Sequence, residues 1–160
     1  MEFRGDLQIA YDESIAVVDS GCDQCIINKS PFIIKVYSGE YFNITGALPC
    51  MTTGTTLELV SEAYTILVRH DGDNVLVQLN QVLLNRDPDQ TESLLQPHQL
   101  RASGVLVDDV PTCHTASDGK PGTQCVQVGD RKLPLYFDGY KTYFRLVRSS
   151  EEDLLGLPVY

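Results

Sequence analysis

Basic side chains are scarce in this chain, with 12 Lys and Arg against 22 Asp and Glu and a formal charge of -10 over 160 residues. Binding to phosphate backbones depends on clustered Lys and Arg. That balance excludes nucleic acid as an expected partner. Long apolar runs are missing too: no stretch approaches the roughly 20 apolar residues of a membrane span. The opening Met1-Glu2-Phe3-Arg4-Gly5-Asp6 lacks the basic segment and apolar run that mark a secretory signal. Cysteine is sparse and odd in number, five in all, with no framework spacing, which favours thiols in a reducing compartment. The expectation is a soluble, cytoplasmic protein without membrane contact. The sequons Asn28-Lys29-Ser30 and Asn43-Ile44-Thr45 need a secretory route to matter and are expected to stay unmodified.

What the chain does have is short runs of Val, Ile, Leu, Tyr and Thr punctuated by Gly, Asp, Asn and Pro, the texture of a β-rich domain. Strands are expected at 15–18, 32–36, 64–69 and 75–79, the last two joined by a hairpin at His70-Asp71-Gly72-Asp73-Asn74, where Gly tolerates positive φ. One short helix is expected from Leu94 to Ser103, capped by Ser93 and ended by Gly104, with Pro97 tolerable in its first turn. After Pro111 the chain turns polar and turn-rich, which sets an expected boundary between residues 1–110 and a β-rich extension, 111–160. That extension reads as a three-stranded meander over 125–128, 133–137 and 142–147. Ser150-Glu151-Glu152-Asp153 then forms a capping-box pattern before a closing helical turn. Tyr136, Phe137, Tyr140, Tyr143 and Phe144 read as a packed β face, not a ligand platform.

The stretch with chemistry in it is Ile15-Ala16-Val17-Val18-Asp19-Ser20-Gly21-Cys22-Asp23, an apolar strand running into Asp-Ser-Gly. A strand end holds a carboxylate rigidly, Ser20 offers a hydroxyl to a symmetric partner, and Gly21 permits close backbone approach. Alone, Asp-Ser-Gly is also an ordinary turn. Competing chemistries lack their parts. Cys22-x-x-Cys25 has no second tight pair to complete a zinc site, and it does not open a helix after a βα unit as a redox motif does. Ser20 has no G-x-S-x-G elbow. His70, His98 and His114 fall in a turn, a short helix and a polar loop, leaving no evident base. No metal or cofactor is expected.

Downstream, Leu94-Leu95, a helix containing Leu100-Arg101, Gly104 and an alternating strand ending in Asp108 follow in order. Between the two elements, Tyr41 to Thr56 is rich in Gly and Thr. This arrangement, over about residues 8–110, resembles the retropepsin-like aspartic peptidases, and most closely the protease segment of a retrotransposon polyprotein. Two positions depart from the family pattern: Cys22 stands where Ala is usual, and Gln96-Pro97 replaces Gly and a polar or basic residue. The resemblance implies an all-β fold with one short helix, closed by dimerisation, in which each subunit of a homodimer contributes one catalytic Asp. It implies Asp19, Ser20 and Gly21 as the catalytic motif, with substrate contacts at Asp23, at Thr45 and Gly46 in the flap segment, and at Leu94. The implied activity is peptide-bond hydrolysis on a peptide or polyprotein substrate. Because fold does not dictate function, an inactive dimerisation or protein-binding module of the same fold is the alternative.

Overall fold

A computed structural model describes residues 13–21, 23–44, 55–68, 74–115, 117–156 and 159–160. In chain order these form β1 (Glu13–Val18), β2 (Ile26–Asn28), β3 (Ile33–Ile44), β4 (Thr55–Leu67), β5 (Val75–Leu79), β6 (Val82–Asn85) and β7 (Glu92–Leu95). The helix α1 (Pro97–Ala102) follows, then β8 (Leu106–Asp108), β9 (Cys125–Val128), β10 (Arg131–Pro134), β11 (Tyr136–Phe137), β12 (Thr142–Val147) and the closing helix α2 (Glu151–Gly156). Among the described residues the fold is therefore mostly β-sheet with two short helices. None of the described helices is long and apolar enough to cross a membrane.

The main sheet runs β11-β12-β1-β7-β2-β6-β4-β3, with β5 added on β4. Its path closes on itself, because β12 pairs not only with β1 but also with β4, through Leu146 opposite Leu67 and Val147 opposite Ile66. The closure gives β12, β1, β7, β2, β6 and β4 neighbours on both sides, while β3, β5 and β11 each pair with one strand. Two pairings are parallel, β1 with β7 and β2 with β6, while β2 lies antiparallel to β7. Parallel strands buried on both faces read as continuous apolar runs instead of alternating ones, and the central strands do so. Along β1, Ala16 and Val18 enter the larger core with Ile27, Leu84 and Leu95, while Val17 enters a second cluster with Ile26, Leu83 and Leu94. The period-2 alternation of side chains thus serves two cores at once. Strand β12, by contrast, alternates cleanly: Thr142, Phe144 and Leu146 are buried and the residues between them only partly so.

Several sequence expectations are met. Val75–Leu79 is a strand and pairs antiparallel with β4, although most of the connecting turn, residues 69–73, lies outside the described residues. Strands β3 and β4 extend well beyond the expected 32–36 and 64–69, forming one long antiparallel ladder from Ile33–Tyr64 to Ile44–Thr55. The helix is shorter than expected. Leu94 and Leu95 belong to β7, and the cap is Gln96, whose side chain accepts from the His98 N–H, with Pro97 in the first turn. Ser93 does not cap because it is buried in a bond with Asn28. Ser150 and Asp153 do form a reciprocal capping box: Ser150 N donates to Asp153 Oδ2 at 2.7 Å and Asp153 N to Ser150 Oγ at 3.1 Å.

The expected meander is split between two sheets. Strands β9 and β10 form a hairpin that joins β8 in a separate three-stranded sheet, whereas β11 and β12 join the main one. The division falls at Pro134-Leu135. Proline ends its ladder by lacking an N–H, and Leu135, almost fully buried, exchanges bonds with Gln124 through N–H to O at 2.9 Å and Nε2 to O at 2.6 Å. Strands from both sides of the expected boundary at Val110 share the main sheet, and Val126, Leu133, Leu135, Phe144 and Leu146 share one core with Ala16 and Val18. Of the aromatic group, Phe144 is buried and Tyr136 stacks on Tyr143, with centroids 5.9 Å apart. Tyr140 departs from it, being 96% exposed in a turn.

Candidate functional site

Asp19 follows the last residue of β1, where the strand stops and the chain turns toward β2. Its backbone N–H donates to the Leu95 carbonyl at 3.0 Å, which carries the parallel β1–β7 pairing one residue past the strand end. Its side-chain Oδ1 accepts the Gly21 N–H at 2.8 Å, the two-residue side-chain turn that Asp favours. A Cβ added at Gly21 would stand 3.1 Å from that same Oδ1, tighter than ordinary contact. A side chain at this position would displace the carboxylate by a few tenths of an ångström. Asp19 is partly buried, and Ser20, Gly21 and Asp23 are exposed.

The far end of the loop is pinned as well. Cys25 N donates to Gln99 Oε1 at 2.9 Å, and the buried Cys25 thiol accepts the Gln96 N–H at 3.2 Å. Gln99 Nε2 and Gln24 Nε2 both donate to the Gln81 carbonyl, at 2.8 and 2.9 Å. Beneath them, Asn28 N donates to Ser93 Oγ at 3.0 Å, Ser93 Oγ donates to Asn28 Oδ1, and Asn28 Nδ2 reaches the Gln90 carbonyl at 3.3 Å. Both side chains are nearly inaccessible. Buried polar groups satisfied in this way rigidify the core around them. The carboxylate loop is thus tied to the segment 90–99 at several heights.

Of the residues expected at a site, Asp19, Ser20, Gly21 and Asp23 share this loop. Leu94 is a register partner of both Val17 and Ile26 and is only 6% exposed, packed in the second apolar cluster. Thr45 and Gly46 lie outside the described residues, as do Cys22, Cys50 and His70. The ladder that leads toward Thr45 is in place, with Asn43 opposite Thr56 and Ile44 opposite Thr55. Gln96 stands out in the sequence only as a departure from the family pattern and Gln99 not at all, since amides at a strand–helix junction carry no periodic signal. Among the described residues, no three His, Cys, Asp or Glu side chains come together to hold a metal ion. Cys113 is exposed, Cys125 is half-buried, and His114 packs edge-on against Phe137 at 5.8 Å.

A second ordered carboxylate, Asp108, does structural work. Its Oδ2 accepts Thr123 N at 2.8 Å and Thr123 Oγ1 at 2.6 Å, and its Oδ1 accepts Val110 N at 3.1 Å. Burial pushes this carboxyl up, but the Thr123 and Val110 bonds together with the Arg101 charge outweigh it and hold the group below its ordinary range. The loop it closes is tight: a Cβ at Gly122 would lie 2.3 Å from the Val110 carbonyl oxygen. Comparison with protein-family profiles, with curated proteins and with solved structures gives no match to this chain.

Proposed function

We propose that this chain is one subunit of a homodimeric aspartic endopeptidase of the retropepsin type, working in the cytoplasm on a peptide or polyprotein. The observation that carries the reading is the seat of Asp19: a carboxylate just past the end of β1, gripped by Leu95 through the backbone and by Gly21 through its side chain. Support also comes from its surroundings. The loop runs between β1 and β2, each paired in parallel with a strand from the 82–95 segment, and the long β3–β4 arm extends from the same sheet.

In this reading one carboxylate per chain makes the dimer obligatory, since the chemistry takes two carboxylates on a single water. Two such groups about 3 Å apart cannot both ionise cheaply, so the pair shares one proton. The ionised Asp19 takes a proton from water as the water attacks the scissile carbonyl. The protonated Asp19 of the partner subunit donates toward the carbonyl oxygen, and a proton then passes to the leaving nitrogen. Extended substrate lies against the β3–β4 arm by strand-like hydrogen bonds.

The test is cleavage of a peptide library with and without an aspartic-protease inhibitor, using Asp19→Asn as the control. Inhibitor-sensitive cutting that disappears in the variant is the expected result. A stable dimer that cuts nothing in the library would point instead to a binding module of the same fold.

A further inference from the structure

A cavity of about 140 Å³ lies inside the larger core, and Asp19 is not among its lining residues. Its buried wall is largely apolar, with Ala16, Phe32, Leu67, Val126 and Phe144, and the one buried hydroxyl in it, that of Thr65, donates to the Val147 carbonyl at 3.3 Å. Its lining passes outward to Asn80, just past β5, and Ser103, just past α1, both exposed. The mouth therefore opens between these two element ends. Among the described residues, no side chain in the lining is an acid or a base of the Asp, Glu, Lys, Arg or His type. The cavity is roofed by the β9–β10 hairpin, which brings Val126, Val128 and Leu133 over the main sheet.

Size and chemistry together define an occupant. An apolar cavity of about 150 Å³ stays dry and takes a molecule the size of benzene. Burying a charged group in such walls is strongly unfavourable, and at the rim a carboxylate would meet no lining Lys, Arg or His on a chain of net charge -10, whereas a hydroxyl finds an amide and a hydroxyl side chain there. We propose that this cavity is a binding site for a small neutral amphiphile, an apolar body of about six carbon atoms inside and one hydroxyl at the Asn80–Ser103 rim. The site is independent of the peptidase reading, since it uses neither the Asp19 carboxylate nor a second subunit.

The probes are 1-hexanol and hexanoate, titrated into the full chain at neutral pH while the methyl resonances of Val and Leu are followed by NMR. Saturable shifts confined to Val126, Leu133, Leu95 and their neighbours are expected for hexanol, with hexanoate weaker by about tenfold or more, the factor that each 1.4 kcal/mol of burial cost imposes. Ser103→Trp, at an exposed position, is expected to plug the mouth and weaken hexanol by a similar factor. Val128→Phe, which narrows the site from the hairpin side, is expected to do the same if the first variant disturbs α1. Shifts that fail to saturate, equal affinity for the two probes, or undiminished hexanol binding in a folded blocking variant would each overturn the proposal.

Discussion

The backbone N–H of Asp19 donates to the carbonyl of Leu95 at 3.0 Å, and the next covalent step from Leu95 is Gln96, the cap of α1. The candidate carboxylate and the helix are therefore mechanically one unit. Asp19→Asn preserves that backbone bond and the size of the side chain, so the fold should persist while acid–base chemistry stops. Since positioned acid–base groups contribute roughly 10²–10⁴-fold, peptide cleavage is expected to fall by about that factor with circular dichroism unchanged. Wild-type turnover in the variant would remove Asp19 from the mechanism.

Dilution provides a second check. A monomer contributes one carboxylate, so specific activity should fall as concentration drops through the dimer dissociation constant, in step with the sedimentation-measured dimer fraction. A monodisperse monomer retaining full specific activity over wide dilution contradicts the two-subunit site.

Acid stability should report on Asp108. A carboxyl held below its ordinary range contributes stability that is fully present above the unfolded value, about 3.9, and is lost as pH falls through the folded value. Because Thr123 and Val110 hold Asp108 in this way, Asp108→Asn should melt below wild type near neutrality. The gap should start to narrow as the pH falls below about 3.9, where the unfolded carboxyl takes up its proton, and close only below the lower folded value. Thr123→Val, which removes the hydroxyl donor and keeps the backbone one, should show a smaller version of the same trend. A gap independent of pH, measured as melting temperature across that range, would mean the bonds do not favour the charged form.

The C-terminal third should be indispensable to the fold. Strand β12 joins β1 to β4, and Leu146, 3% exposed, packs in the main core. Leu146→Ala is expected to cost about 2–5 kcal/mol by denaturant unfolding, the usual range for a buried leucine. Truncation at Val110 should abolish cooperative unfolding, and limited proteolysis should spare the chain between Gln124 and Val147. Unchanged stability after truncation would show that residues 111–160 are dispensable.

The sequence by itself determined the local pieces, because their physics is local. Strand-forming composition marks 142–147, Pro97 marks the first turn of α1, Ser150 and Asp153 cap α2, and Asp19-Ser20-Gly21 announces a side-chain turn in which a larger residue at Gly21 would crowd the carboxylate. Pairings between distant segments were decided by the tertiary structure alone. Nothing in Thr142–Val147 says that its partners are β1 and β4, because an alternating strand satisfies its ladder with any complementary edge and only the shared core selects one. Ser93 has the composition of a helix cap, yet the burial of Asn28 beside it makes a hydrogen bond to that side chain the better use of its hydroxyl, since an unsatisfied buried amide costs more than a lost cap contributes. The expected meander broke at Pro134-Leu135 for a related reason. Two short apolar faces found cover on different sheets, and composition carries no record of which surface will be nearest when the chain folds.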